Sequence, residues 1–257
     1  MTNPPSPKTN LPSDPEGRPA GIREEQVEPG ILRWVLDKPA RRNAIGPAMF
    51  EWIRARCQTL AGEVVIVRGA GDRAFTAGFD LKALAELNTR QAAPPDDVLI
   101  GATTAMLGAD ATFVAALNGY VIGAGVELIA SCDFRIACEQ ASLRVPAGKL
   151  GVVYHAAGLA QIHAAFGPTV ARRLFIAGET IPIVDARASL TTIVPLAQLD
   201  AEALALAQRI RTQSTRSVHG HRRLLRALDQ AAELPPELLE LHEQARRDAY
   251  EAIAGSA

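Results

Sequence analysis

From about residue 30 onward, apolar runs alternate with polar and glycine-rich stretches, and their spacing separates strands from helices. Ile31-Leu32-Arg33-Trp34-Val35-Leu36 is a short apolar run closed by Asp37-Lys38-Pro39, which predicts a strand. Over 46–60, Met49, Trp52, Ile53 and Leu60 recur at helical spacing, and Pro47 suits a first turn. Val64-Val65-Ile66-Val67 predicts a buried strand stopped by Gly69-Ala70-Gly71. Helices are predicted over about 80–88 and 98–108, with a loop at 91–97 around Pro94-Pro95-Asp96-Asp97. Phe113–Leu117 reads as a strand ending at Asn118-Gly119, and a helix runs from near Ala124 to about Ser131. Phe134–Ala137 and Ser142–Arg144 are further strand candidates. Helical spacing then covers roughly 156–166, 168–177, 183–189, 198–212, 217–231 and 235–253. Strands alternate with helices early and helices dominate late, so the fold class is α/β with a helical C-terminal region.

The N-terminus changes the picture. Six prolines at positions 4, 5, 7, 12, 15 and 19 with few apolar neighbours predict a disordered arm over 1–20. The division expected is therefore an arm at 1–20, a core at 21–195 and a helical region at 196–257. The 257 residues suffice to bury a core without a disulfide or metal staple. A net charge of −1 points to neither nucleic acid nor an anionic membrane surface as partner. Around 113–132 the longest apolar stretch is interrupted by Asn118, Gly119, Gly123, Gly125 and Glu127, a poor membrane span. Cys57, Cys132 and Cys138 form neither a disulfide framework nor a zinc pattern, and read as core thiols of a cytoplasmic protein.

Candidate chemistry gathers at two small-residue turns. One is Ala74-Phe75-Thr76-Ala77-Gly78-Phe79-Asp80-Leu81. The other is Asn118-Gly119-Tyr120-Val121-Ile122-Gly123-Ala124-Gly125-Val126-Glu127-Leu128. Small residues let a ligand approach the backbone, and the first N–H groups of a helix lack intrahelical acceptors. The Gly-x-Gly at 69–71 lacks a third glycine and leads into Asp72-Arg73, so it is not a dinucleotide fingerprint.

These residues resemble the crotonase (enoyl-CoA hydratase/isomerase) superfamily. The likeness runs from Asn43-Ala44 after Pro39 through both turns. It continues through Cys132-Asp133-x-Arg135-Ile136-Ala137 and Lys149-Leu150-Gly151 to Ala177-Gly178-Glu179-Thr180-Ile181. The resemblance implies a spiral of ββα units, a homotrimer or dimer of trimers built through the helical 196–257 region, and an acyl-CoA substrate. Coenzyme A is then part of the substrate, with no separate cofactor and no metal. The chemistry implied passes through a thioester enolate, whose oxygen fixed N–H donors stabilise more than they stabilise the ground state. By motif position the donors would be the backbone N–H groups of Phe79 and Ala124. Ala77, Gly78, Asp80, Leu81 and Gly123 would bind the acyl-CoA substrate. Arg42 would reach the CoA phosphates, although a solvated loop is an equal reading of Arg41-Arg42.

Two departures bear on the reaction. Ala124 stands where relatives usually have a glycine, and bulky Phe79 stands where hydratases commonly have alanine. Of the two glutamates usual in hydratases, the first maps onto Glu127. The second maps onto Ala147, and residues 141–158 contain no Asp or Glu. Tyr154 and His155 are the remaining polar groups of that segment. A tyrosine occupies a similar place in the methylmalonyl-CoA decarboxylase branch, and a neutral imidazole can act as a base near neutral pH. Three readings stay open: a hydratase-like lyase using Glu127 with help from Tyr154 or His155, a methylmalonyl-CoA-type decarboxylase, and a catalytically decayed CoA-binding protein.

Overall fold

The computed structural model describes residues 17–83, 94, 96–229, 236, 240, 243–244, 247–248 and 251. The predicted arm lies outside the described residues up to residue 16. So do most of the helix at 80–88, the loop at 91–97 and the helix at 235–253.

Two sheets carry the chain. The larger has the order β1 (Ile22–Glu28), β2 (Ile31–Leu36), β3 (Glu63–Gly69), β5 (Ala111–Leu117), β7 (Phe134–Cys138), β10 (Thr192–Val194). The smaller has β4 (Ala74–Thr76), β6 (Tyr120–Ile122), β8 (Ser142–Arg144), β9 (Thr180–Pro182). From β2 to β10 the large sheet is parallel, with Trp34 opposite Val67 and Val65 opposite Phe113, and β1 closes one edge antiparallel. Strands β4, β6 and β8 are also parallel. The chain passes from the large sheet to the small one and then into a helix. It does so as β5, β6 and α3 (Ala124–Ala130), and again as β7, β8 and α4 (Ala147–Leu150). This is the ββα spiral expected.

Both faces of the large sheet are covered, so its inner strands β2, β3 and β5 read as nearly continuous apolar runs. One face packs Trp34, Val65 and Phe113 with Phe50 and Ile53 of α1 (Pro47–Cys57) and Leu99 and Met106 of α2 (Asp97–Gly108). The other packs Ile31, Ile66 and Val114 against Leu199, Ala203 and Leu206 of α6 (Leu199–Arg211). The helices predicted at 156–166 and 168–177 form one kinked element, α5 (Ala156–Phe175). Gly167 takes φ 76° immediately before Pro168. The segment 183–189 winds as a 3-10 helix.

Helix α7 (Thr215–Asp229) is anchored mainly by Arg222, with Arg226 adding bonds to the Ser131 carbonyl and to Asp133. Buried Arg222 donates to Asp133 at 2.8 Å and to the carbonyls of Met106 and Ala109 at 2.8 and 2.9 Å. It thereby caps the C-terminal end of α2, where a cation opposes the helix dipole. Cys57 and Cys132 are buried in the core, and burial pushes both thiols up to about 12. No helix among the described residues is long and apolar enough to cross a membrane.

Candidate active site

The first turn follows β4 and is tied down by short polar side chains. Thr76 Oγ1 donates to the Asn43 carbonyl at 2.7 Å and accepts from Gly78 N–H at 3.0 Å. The Asn43 side chain donates to the carbonyls of Ala70 and Ala74, both at 2.9 Å, while Asn43 itself takes a left-handed φ of 58°. Ile45 N–H then bonds Gly78 C=O at 2.8 Å, and Asp80 N–H bonds Ile45 C=O at 2.9 Å. That pattern is a parallel bridge centred on Phe79. Because the flanking residues supply both bonds, the N–H of Phe79 points away from Ile45.

The second turn meets the first. Asn118 clamps the strand ends from below, donating to Gly71 C=O at 2.8 Å and accepting from Gly69 N–H at 3.1 Å. Gly123 takes φ 56° and ψ −121°, and Ala124 begins α3. The unusual backbone conformation therefore falls on Gly123, and Ala124 is already helical, which explains why a residue with a Cβ fits there. As the first residue of α3, Ala124 has no carbonyl four residues back inside the helix to accept its N–H. The two turns touch at Gly78, where a Cβ would lie 2.5 Å from Ile122 C=O and 3.4 Å from Ala124 N. They touch again at Gly125, where a Cβ would lie 2.2 Å from Thr76 Cγ2. Close contact without side chains thus brings the backbones of residues 78–79 and 123–124 together. The Phe79 ring packs on Phe50 with centroids 5.2 Å apart.

One helical turn beyond Ala124, Glu127 is fully buried. An isolated carboxylate there would cost several kcal/mol, so its partners matter. Thr103 of α2 bonds Oε1 at 3.0 Å, and His155 Nε2 bonds Oε2 at 3.0 Å. His155 is 2% exposed and caps α5, its Nδ1 accepting from Gly158 N–H at 3.0 Å. A neutral imidazole has one N–H, and an Nδ1 that accepts carries none. Nε2 therefore holds the proton and donates it to Glu127. Both ring nitrogens of His155 are thus engaged, one by the Glu127 carboxylate and one by the Gly158 N–H. Tyr154 stacks on the imidazole, 5.1 Å between centroids and 17° between planes, and meets Phe175 edge-on at 5.2 Å. Ala147 is buried at the start of α4.

The predicted residues thus divide by position. Ala77, Gly78, Phe79, Gly123, Ala124, Glu127, Tyr154 and His155 lie in or beside the two joined turns and the buried pair. Arg42 and Leu81 are exposed, with Arg42 lining a surface recess beside Asn43, Gly71, Arg73 and Tyr120. Asp80 pairs with Arg41 at 3.0 Å and accepts from Lys82 N–H. Sequence reasoning missed Thr103 and Gly158. The signal for Thr103 was a lone hydroxyl in the buried stripe Leu99, Ala102, Thr103, Met106.

Comparison with known proteins agrees with this architecture. Residues 26–250 match the family model described as enoyl-CoA hydratase/isomerase. The carnitinyl-CoA dehydratase of Salmonella heidelberg (strain SL476) is 30% identical over 216 residues, 80% of either chain. An enoyl-CoA hydratase/carnithine racemase structure from Magnetospirillum magneticum aligns with a TM-score of 0.76 at 28% identity, covering 86% of this chain and 85% of the other. A methylmalonyl-CoA decarboxylase in complex with 2-nitronate-propionyl-CoA shares the fold at a TM-score of 0.80, with 21% identity over 90% of each chain.

Proposed function

Because this chain belongs to the enoyl-CoA hydratase/isomerase (crotonase) family, we propose that it is a hydratase-like lyase. It adds water across the double bond of an enoyl-CoA, or removes it in reverse, with Glu127 as its single catalytic carboxylate. The observation that carries this reading is the buried carboxylate one helical turn past Ala124, held by two donors. The name of the Salmonella relative, a dehydratase acting on carnitinyl-CoA, supports the reaction class.

In the forward direction Glu127 takes a proton from water as its oxygen bonds to the β-carbon. The π electrons of the C=C bond shift toward the thioester, and negative charge collects on the carbonyl oxygen. The N–H groups of Phe79 and Ala124 receive that charge, in a geometry paid for during folding. Glu127 then returns the proton to the α-carbon and the C=O bond re-forms. One carboxylate serves both transfers, so no second carboxylate at position 147 is needed. Ala77, Gly78 and Gly123 line the thioester, with Asp80, Leu81 and Arg42 toward the coenzyme A end. Coenzyme A enters as part of the substrate.

Decarboxylation of a malonyl-type thioester forms the same enolate without removing a carbon-bound proton. Ala147 keeps that second reading alive. We infer a homotrimer or dimer of trimers in the cytosol, which would cover Leu224, Leu225 and Leu228, all more than 60% exposed on α7. A mass-spectrometric panel tests the function: crotonyl-CoA, a longer enoyl-CoA, carnitinyl-CoA and methylmalonyl-CoA. Gain or loss of water is the expected result. Loss of CO2 alone would move the assignment to decarboxylase, and no turnover on any of them would leave a CoA-binding protein.

A further inference from the structure

We propose that His155 is a positioning residue that sets the Glu127 carboxylate for catalysis and does not itself exchange protons with substrate. This rests on Glu127 being the catalytic carboxylate and adds a role for a side chain 28 residues away. The two carboxylate oxygens are gripped from different elements, Oε1 by Thr103 on α2 and Oε2 by His155 at the start of α5. Two hydrogen bonds from separate helices fix both the rotation and the tilt of the carboxylate plane. A carboxylate offers about four lone-pair directions, so those not facing these donors remain to hold water.

The imidazole is itself held on three sides. Gly158 N–H binds Nδ1 and selects the Nε2–H tautomer. The Tyr154 ring lies parallel against it. Gly158 also closes the space between the three residues. A Cβ there would lie 2.5 Å from Glu127 Oε2, 2.7 Å from His155 Cε1 and 2.7 Å from Tyr154 Cε1. At 2% and 0% exposure the pair sits away from bulk water, where a hydrogen bond is stronger and a misdirected one costs more. With one carboxylate performing both proton transfers, its aim limits the rate. A shift of about 1 Å in such a group can cost about 10²-fold.

The test pairs kinetics with a spectroscopic reading of the tautomer. His155→Gln can place an amide N–H near the position of Nε2–H. It should keep kcat within about fivefold of wild type, whereas His155→Ala should lower kcat about 10²-fold with KM changed less than about threefold. If the glutamine variant loses as much as the alanine variant, or if the alanine variant keeps full kcat, the positioning role is overturned. Should His155→Ala fail to fold, the wild-type protein still decides. Nitrogen-15 NMR of labelled histidine should show His155 neutral with the proton on Nε2 at pH 7, and a proton on Nδ1 would refute the proposal. Glu127→Gln is measured alongside. Wild-type turnover in that variant would refute Glu127 as the catalytic carboxylate, a failure separate from that of His155.

Discussion

Glu127→Gln should lower kcat for enoyl-CoA hydration by about 10²–10⁴-fold, the range general acid–base groups contribute. KM should change little, because the substitution removes a proton acceptor used in the transition state and leaves the binding surface intact. The fold should survive for a geometric reason. Thr103 Oγ1 lies 3.1 Å from the Leu99 carbonyl as well as 3.0 Å from Glu127 Oε1. In the variant its hydroxyl can turn to Leu99 and accept from the glutamine N–H, while the glutamine oxygen still accepts from His155 Nε2–H. No buried polar group loses its partner, so the cost of a broken buried network is avoided. Steady-state kinetics with a thermal melt check both halves. Near-wild-type turnover would remove Glu127 from the chemistry, and a collapsed melting temperature would show that the exchange of donors does not occur.

Gly78→Ala should be the next most damaging change, lowering kcat/KM by about 10²–10³-fold, comparable to the loss of one oxyanion donor. Gly78 has φ 89°, and its added Cβ would meet the Ile122 carbonyl at 2.5 Å. That neighbour is backbone, so relief requires the two turns to separate. Separation moves the Phe79 N–H away from Ala124. Left-handed backbone alone costs an alanine roughly 1–2 kcal/mol, and this must be separated from the effect on the site. Gly178→Ala provides the control, since Gly178 has φ 65° and nothing within 4 Å of its would-be Cβ. It should lose similar stability through its backbone with activity unchanged. Equal activity losses in the two variants would mean that the Gly78 turn has no special role.

Much of the fold was legible because its signals are local. Strands β2, β3 and β5 of the large sheet are apolar runs that stop at glycines or polar turns, and the helices carry clear spacing. Strand β1 was missed because Arg23, Glu24, Glu25 and Gln26 hide the edge strand's pairing with β2. Strands β4 and β6 are three residues each, too short to show a period. The two turns were legible as motifs, but the reason they meet lies in packing. Gly78 lets the first turn rest on Ile122, and Gly125 lets the second rest on Thr76, contacts between segments far apart in sequence.

The acid/base set was the least legible part. Residues 141–158 contain no Asp or Glu, and the sequence offers His155 only as a base or a helper to Glu127. The structure adds what no local pattern shows, that His155 caps a helix with one nitrogen and binds Glu127 with the other. That role depends on α5 starting beside α3, which no local pattern encodes. The same holds for Thr103, whose buried hydroxyl has meaning only once α2 lies against α3.

Under the proposed function, the N–H groups of Phe79 and Ala124 jointly polarise a thioester carbonyl. Infrared difference spectroscopy of bound butyryl-CoA, carbon-13 labelled at the thioester carbonyl, reads this without turnover. Two converging donors predict a C=O stretch at lower wavenumber than in water, moving back toward the free value in Gly78→Ala. A bound carbonyl that vibrates at or above its frequency in water, in wild type as in the variant, would contradict it.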